Sequence, residues 1–254
     1  MNRLFQKKKM SGGLNNKHWW ITQGMNYSDI IAVYQFKGAE NQTEALNDLT
    51  PNGYNLTAHD ISWDAVNGLK KASSGNDNWV TNSALGTLSA NGGIKTMIVR
   101  YANYSSNNDN VYLVYLKYGN ILKLRMKYSA AGHDNSGSKV VLNGPMGIYR
   151  SFSEKDTSSG HLQTITYTSA GQNAPSSGVL ACDRNWSMYL DGNNLHAYGG
   201  SCSGWGSPGV GGRASNSNNR PLQVTNCTVL AAAFYSKILS DTAHKQIAQM
   251  MMTL

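Results

Sequence analysis

Acidic residues that could carry out glycoside hydrolysis are scarce in this chain of 254 residues. That reaction uses one carboxyl group as the acid and a second as the base or nucleophile, facing each other across the bond that is cut. The sequence contains three glutamates, at Glu40, Glu44 and Glu154. Asp156 follows Glu154, but positions 157–159 are Thr-Ser-Ser, so the second glutamate of a Glu-x-Asp-x-x-Glu strand is missing. We therefore do not expect a glycosidase.

Histidine and cysteine residues are present but are not spaced as a metal site. The six histidines are scattered without an HxH or HExxH pattern, and Cys182, Cys202 and Cys227 lack CxxC spacing. No hydrophobic export segment follows Met1, so we expect reduced thiols in a protein made in a cytoplasm. No zinc or redox chemistry is indicated.

The composition is typical of short strands joined by tight turns. Charged residues make up 14% of the chain, and its polarity comes mostly from Asn, Gly, Ser and Thr, which are turn residues. A sandwich of this length often forms a single domain. No run approaches the 18 apolar residues of a membrane-spanning helix. These features favour one large β domain without a membrane span.

Alternating and apolar segments predict the strands. Residues 111–118 and 121–128 flank Gly119-Asn120, which predicts a hairpin. In the second segment Lys123, Arg125 and Lys127 share one face, which would contact water or an acidic partner, while the other face contacts a core. The longest predicted strand is 222–234, and its segment 227–233 is apolar enough to be buried on both faces. The other predicted strands are 29–36, 94–101, 147–152, 161–169, 178–182, 186–190 and 195–198.

One amphipathic helix is predicted near residues 240–252. Ser240 can cap its first turn, and Asp241 lies favourably near the positive end of the helix dipole. The residues that form the apolar stripe are Ala243, Ile247, Met250, Met251 and Leu254.

Residues 1–28 form a basic N-terminal arm. The formal net charge is +8, and five cations precede the first acid, Asp29: Arg3, Lys7, Lys8, Lys9 and Lys17. The rest of the chain is only mildly basic, so nucleic acid is not the expected partner. Trp19 and Trp20 need an apolar surface, on their own domain or on a neighbouring subunit. Because the cations resist burial, we expect contact with another chain to order the arm, with Trp19, Trp20, Lys7, Lys8 and Lys9 as its anchor.

Several spaced segments together carry a family resemblance. They are residues 32–39, 48–56, 63–68, 186–192 and 229–235, the last followed by Leu239-Ser240-Asp241. This set resembles the laminin-G/concanavalin A-like β-sandwich, and residues 34–39 are similar to the laminin-G-like domains of phage virion proteins from gut bacteria. The resemblance covers residues 30–254. It implies an all-β fold, an antiparallel two-sheet jelly-roll sandwich over residues 29–254 with a short C-terminal helix after the arm.

The resemblance also suggests a rim calcium site. Laminin-G-like modules often bind Ca²⁺ there, and such a hard cation needs several oxygen ligands. Asp77, Asp109 and Asp134 lie in Asn-rich loops and are the candidate ligands. Clusters of Asn and Asp also form ordinary turns, so both interpretations stay open. We expect no other cofactor.

Two tryptophans are candidates for stacking on a sugar. Trp205 lies between Gly204 and Gly206 in the long Gly/Ser/Asn-rich segment 199–219, and Trp79 follows an Asn-Asp-Asn run. Trp205 could equally fix its loop onto the sandwich, in which case its loss would lower stability instead of glycan affinity. We assign Trp63 and Trp186 to the core, where the family's fold-defining aromatic residues lie.

The leading functional hypothesis is a non-enzymatic bacteriophage virion protein. The sandwich would serve as a decoration, head-fibre or tail-fibre component that oligomerises, contacts capsid or tail proteins, and adheres to bacterial surface polysaccharide. One alternative is a stand-alone lectin-like carbohydrate-binding module. A second alternative is a polysaccharide lyase or hydrolase, since lyases of this fold use Tyr, His, Arg and Lys.

Overall fold

A computed structural model describes most of the chain, namely residues 18–72, 79–90, 93–103, 110–118, 120–128, 146–152, 162–167, 176–183, 188–194, 205–206, 222–223 and 227–254. The first strands are β1 (Ile30–Gln35), β2 (Thr57–His59), β3 (Ile61–Asp64), β4 (Gly68–Lys71), β5 (Trp79–Thr81) and β6 (Thr96–Ala102). They are followed by β7 (Asn110–Tyr118), β8 (Asn120–Tyr128), β9 (Met146–Phe152), β10 (Leu162–Tyr167) and β11 (Gly178–Asp183). The last strands are β12 (Met188–Leu190), β13 (Asn193–Asn194), β14 (Trp205–Gly206), β15 (Leu222–Gln223) and β16 (Thr228–Tyr235). The helices are α1 (Gln42–Leu46), α2 (Ser83–Ala90) and α3 (Asp241–Met252).

All described strand pairs are antiparallel. An eight-stranded sheet has the order β13-β12-β11-β6-β16-β4-β3, with β1 also paired to β16. A five-stranded sheet has the order β14-β10-β9-β8-β7, and a small sheet has the order β15-β5-β2. The predicted fold class is confirmed: the protein is an all-β antiparallel sandwich with a short C-terminal helix. Among the described helices, none is long and apolar enough to cross a membrane.

Strand β16 lies inside the eight-stranded sheet and is buried along its whole length. Its two faces contribute to different core clusters. Ala232 and Phe234 belong to a first cluster that includes residues of α1, α2 and β5. Ala233 and Tyr235 belong to a second cluster that includes α3. The prediction of a strand buried on both faces is confirmed for β16, but the predicted strand 222–234 is divided between β15 and β16.

Helix α3 covers the second face of the eight-stranded sheet. The Ser240 hydroxyl accepts a hydrogen bond from the Ala243 amide at 3.2 Å, which caps the first turn. Ile247 and Met251, one turn apart, are fully buried in the second cluster. The predicted helix, its cap and its apolar stripe are confirmed.

The N-terminal turn, residues 18–25, packs on the same face as α3. The Trp19 side chain is fully buried in the second cluster, and its Nε1 donates to Gln35 Oε1 at 3.1 Å. Trp20 is half-buried against the same cluster. The expectation that another chain orders these tryptophans is therefore wrong for Trp19, because the open face of the sheet offers a large apolar surface within the same domain. Lys7, Lys8 and Lys9 lie outside the described residues, so their anchoring role stays a prediction.

The predicted hairpin is confirmed, since β7 and β8 pair across position 119 with Lys117 opposite Ile121. Trp63 packs on the first cluster and its Nε1 donates to the Phe36 carbonyl at 2.6 Å. Trp186 and the predicted strand 195–198 lie outside the described residues. The small sheet and helices α1 and α2 were not expected from the sequence.

Candidate ligand-binding groove

The two predicted stacking residues lie in different sheets. Trp205 begins β14, at one edge of the five-stranded sheet. Trp79 begins β5, the central strand of the small sheet, whose edge strand β15 lies next to β7 at the opposite edge of the five-stranded sheet. Four strand spacings of ~4.8 Å separate those two edges. The structure does not bring the two residues into one compact site.

Strand register places Trp205 on the apolar face of the five-stranded sheet. Trp205 is opposite Gln163, which shares its face of β10 with Ile165 and Tyr167. Directly opposed residues of an antiparallel pair lie on the same face. Both interpretations of Trp205 stay open, and its glycan contact stays a prediction.

The three candidate calcium ligands cannot be assessed in the structure. Asp77, Asp109 and Asp134 all lie outside the described residues. Within the part of the chain that is described, no three His, Cys, Asp or Glu side chains are grouped so that they could hold a metal ion. The calcium site therefore stays a prediction.

A buried polar cluster joins α3 to β11 and β12. The rings of Tyr189 and His244 stack with centroids 3.7 Å apart and planes 13° from parallel. The Tyr189 hydroxyl donates to Asp241 Oδ1 at 2.8 Å and lies 3.5 Å from Asp183 Oδ2. Asp183 and His244 are almost completely buried. This is the combination of Tyr, His and acid that a lyase or hydrolase would need.

The geometry of this cluster suits a structural role. Burial lowers the pKa of His244 to about 4, partly offset by Asp241, so the imidazole is neutral at pH 7. Neither ring nitrogen has a hydrogen-bond partner among the described residues. The Tyr189 ring covers the imidazole and its hydroxyl lies near both carboxylates, leaving no space for a sugar between them. We conclude that the cluster holds α3 against strands β11 and β12.

A surface groove runs between the N-terminal turn and α3. It has a volume of about 430 Å³. We call it the terminal groove, and its lining residues are Ile21, Thr22, Gln23, Gln246, Gln249, Met250 and Thr253. None of these side chains is charged. Within this set Ile21 and Met250 are half-buried against the second core cluster and form an apolar floor.

The wall supplied by the N-terminal turn is held in place by the core. The Tyr235 hydroxyl donates to the Trp20 carbonyl at 2.9 Å, and burial raises the pKa of Tyr235, so this donor stays protonated. The Ile21 amide donates to the His18 carbonyl and the Met25 amide to the Thr22 carbonyl, both at 3.1 Å. These bonds and the buried Trp19 fix the turn before any ligand binds, which reduces the entropy cost of binding.

Three aromatic rings, at the start of the N-terminal turn and just after its end, contact one another. His18 meets Trp20 edge to face at 5.1 Å and Tyr27 at 6.3 Å. His18 is exposed, Trp20 is half-buried and Tyr27 is 55% exposed. Exposed aromatic rings next to amides and hydroxyls are the usual elements of a site for polar organic ligands. We call His18, Trp20 and Tyr27 the aromatic cluster.

Sequence reasoning missed the terminal groove because its walls come from opposite ends of the chain. Residues 18–23 were assigned to an arm expected to leave the domain. Gln246 and Gln249 are three residues apart and therefore neighbours on the polar face of α3, a spacing that is visible in the sequence. Nothing in the sequence indicated which segment would lie opposite them.

The comparisons with known proteins show only the fold. No protein-family model matches the chain, and no curated protein matches it. A crystal structure named HCR/D-Sa-GBL1/C has a TM-score of 0.51 at 12% identity, covering 89% of this chain and 52% of its own. The binding domain of botulinum neurotoxin DC in complex with rat synaptotagmin II has a TM-score of 0.49 at 13% identity, covering 89% and 52%. A mutant of Trypanosoma rangeli sialidase displaying trans-sialidase activity has a TM-score of 0.46 at 12% identity, covering 89% and 34%.

The chain thus spans about half the length of the first two of these structures and about a third of the sialidase. At such low identity the similarity, carried by the structure with the TM-score of 0.51, shows only the fold, an antiparallel β-sandwich. It does not extend to a ligand or a reaction.

Proposed function

We propose that the protein is a non-enzymatic binding module whose terminal groove holds a glycan. The observation that carries the proposal is the composition of the groove. Amides of three glutamines and hydroxyls of two threonines surround an apolar floor, without any charged side chain in the lining. Amides and hydroxyls match the donors and acceptors of sugar hydroxyls, and an apolar floor matches the C–H faces of a sugar ring.

The aromatic cluster supports this proposal. Trp20 directly precedes Ile21 of the groove lining and belongs to the aromatic cluster, so a glycan long enough to extend past Ile21 would contact this cluster. Aromatic contacts of this kind contribute about 0.5–1.5 kcal/mol beyond the area they bury. The absence of charge in the groove favours a neutral segment of the glycan.

A virion setting is the finer part of the proposal, and it rests on the resemblance of residues 34–39 to phage laminin-G-like domains. In that setting the sandwich is a decoration, head-fibre or tail-fibre component that adheres to bacterial surface polysaccharide. Its partners are capsid or tail proteins and further copies of the chain, and it is located in the virion. The basic segment before residue 18 is the attachment element.

A glycan panel tests the binding function. Wild-type protein should bind at least one neutral bacterial-surface oligosaccharide, without releasing reducing ends or unsaturated sugars. Gln246→Ala and Gln249→Ala together remove two amides, each contributing about 1 kcal/mol, so affinity should fall roughly tenfold or more. Gln42→Ala is the matched control, because this exposed glutamine lies on α1, outside the groove. Binding that resists the double substitution would reject the groove, and turnover of a glycan would reject the non-enzymatic role.

Light scattering tests the virion setting separately. The full chain should form a defined oligomer that is lost when residues 1–17 are deleted, while the sandwich stays folded because Trp19 is retained. A monomer that still binds glycan would support the stand-alone lectin-like module instead.

A further inference from the structure

The lining of the terminal groove combines a narrow apolar floor with amides and hydroxyls, and it includes no aromatic side chain. The floor consists of Ile21 and Met250, which are half-buried against the second core cluster. A flat aromatic ring can cover the broad C–H face of a sugar, whereas a branched aliphatic side chain and a flexible thioether form an uneven surface. An uneven apolar surface suits a compact group such as a methyl, in addition to the C–H groups of a ring.

Three glutamine side chains of the groove are not engaged by the protein itself. Gln23, Gln246 and Gln249 are exposed, and within the part of the chain that the structure describes their amides make no hydrogen bond. Each primary amide carries two N–H donors and one carbonyl acceptor. The groove therefore offers donors and acceptors together, which is the complement of a secondary amide with one N–H and one C=O.

Thr22 is the most deeply buried polar residue of this lining, at 9% exposed. Its backbone carbonyl accepts a hydrogen bond from the Met25 amide at 3.1 Å, which fixes the residue in the N-terminal turn. Its hydroxyl makes no hydrogen bond with any described residue. It is also not sealed from solvent, since the described side-chain atoms that are both sealed and unpartnered are Arg100 Nε and the two ring nitrogens of His244. A nearly buried hydroxyl without a partner is destabilising, so this oxygen is placed to bind a polar group that enters the groove.

We propose that the terminal groove recognises the acetamido group of an N-acetylhexosamine within a neutral glycan. This inference rests on the proposed function and names the class of sugar that the groove selects. The methyl of the acetamido group lies on Ile21 and Met250, and its carbonyl and N–H are bound by the glutamine amides and the Thr22 hydroxyl. The acetamido group combines one methyl with one donor and one acceptor, the same combination that the lining offers.

Other substituents at the same position of the sugar fit this lining less well. A hydroxyl has a donor and an acceptor but leaves the apolar floor in contact with water. Burial of a methyl together with one more hydrogen bond changes affinity roughly tenfold. An ammonium group would enter a groove that has no carboxylate in its lining, and a carboxylate would find no cation there. The groove therefore selects against both charged substituents.

Three trisaccharides with a common backbone test this selectivity on wild-type protein, without any substitution. Chitotriose, cellotriose and the glucosamine trimer differ only in one substituent of each sugar, which is an acetamido group, a hydroxyl or an amine. In calorimetric titration in one mildly acidic buffer, chitotriose should bind about tenfold more tightly than cellotriose, and the protonated glucosamine trimer should bind most weakly. Equal affinities for chitotriose and cellotriose, or no binding of chitotriose, would overturn the inference.

The Gln246→Ala/Gln249→Ala variant separates failure of this inference from failure of the proposed function. If the two trimers bind wild-type protein equally and both lose about tenfold affinity in the variant, the groove is a glycan site that does not select an acetamido group. If the variant binds chitotriose as tightly as the wild type does, the groove itself is rejected and the inference fails with it.

Thr22→Val replaces the hydroxyl by a methyl of the same shape. Because the hydroxyl has no partner among the described residues, the melting temperature should not fall, whereas the affinity for chitotriose should fall about fivefold. A lower melting temperature with unchanged affinity would show that the hydroxyl stabilises the turn and would overturn its place in the site.

Two methionines of α3 provide a matched pair of variants for the apolar floor. Met250→Gln replaces the thioether by an amide of similar length, so the affinity for chitotriose should fall about fivefold and that for cellotriose less than about twofold. Met252→Gln is the control, because Met252 is 48% exposed and does not line the groove, and it should leave both affinities unchanged. Equal losses for both trimers in Met250→Gln, or an equal loss of chitotriose affinity in Met252→Gln, would overturn the inference.

Discussion

The eight-stranded and five-stranded sheets are both antiparallel, but they use their faces differently. Strand β16 of the larger sheet is apolar on both faces, and each face is covered by helices or turns of the same chain. Strand β8 of the smaller sheet alternates between apolar and cationic residues. Both faces of β16 are therefore covered by residues of the same chain, by α1, α2 and β5 on one face and by α3 and the N-terminal turn on the other, which leaves the edges of these covering segments as the places where a partner can bind.

The largest effect should come from removing the tryptophan that closes the larger sheet. Trp19→Ala replaces a fully buried indole and breaks its bond to Gln35, so the free energy of unfolding should fall by about 3–5 kcal/mol in urea denaturation. Trp20→Ala is the control and should cost less than half as much, because Trp20 is only half-buried. A loss below about 1 kcal/mol for Trp19→Ala would mean that the N-terminal turn is not part of the core.

Lowering the pH should reduce the free energy of unfolding, because His244 is buried on α3 against the larger sheet. Burial keeps its folded pKa near 4, below the unfolded value of 6.5, so the unfolded chain binds more protons between these pH values. Stability should therefore fall by roughly 3 kcal/mol as the pH drops from 6.5 to 4. The Asp241 carboxylate opposes the effect of burial on this pKa.

His244→Phe keeps an aromatic ring at the position that stacks on Tyr189 and removes the titratable imidazole. Its unfolding free energy should change much less over this pH range, as measured by urea denaturation at several pH values. Equal pH dependence in both proteins would show that His244 is not the titrating group.

A smaller effect is expected from adding a side chain at Gly192, in the hairpin between β12 and β13 that packs against α3. Gly192 has φ +76°, and a Cβ there would overlap the Lys245 backbone, whereas Gly53 has φ +72° and open space around it. Gly53→Ala should cost only the backbone strain of about 1–2 kcal/mol. Gly192→Ala should cost about 1–3 kcal/mol more, from the clash. Equal shifts in melting temperature would show that the hairpin does not pack tightly on the helix.

The smallest effect on binding is expected at Trp205. Because its register places it on the apolar face, Trp205→Ala should lower stability and change glycan affinity less than about twofold, since the terminal groove does not include it. Calorimetric melting and titration of the same sample measure both quantities. A tenfold loss of affinity with unchanged melting temperature would restore Trp205 as the stacking platform.

Local patterns in the sequence were sufficient for much of the fold. The Gly119-Asn120 hairpin, the apolar β16 and the Ser240-capped helix each depend on residues close together in the chain, so their signals are local. The small sheet was missed because β2, β5 and β15 are two or three residues long, too short for a periodic pattern.

The candidate site was less predictable because it depends on contacts between distant segments. Trp19 and Met251 lie in one core cluster at opposite ends of the chain. The charge of the preceding residues suggested an arm directed outward, whereas the open apolar face of the larger sheet decided the course of residues 18–25. The glycine neighbours of Trp205 suggested a stacking platform. The face of the sheet on which Trp205 lies depends on the pairing of β14 with β10, which the sequence does not indicate.

Hydroxyl-radical footprinting with the glycan bound tests the central claim, that the terminal groove is the binding site, most directly. Met250 lines the groove, whereas Met252, two residues further along α3, is 48% exposed and does not line it. At saturating glycan, oxidation of Met250 should fall while oxidation of Met252 stays unchanged. Unchanged oxidation of Met250, with protection confined to residues 199–219, would contradict the account.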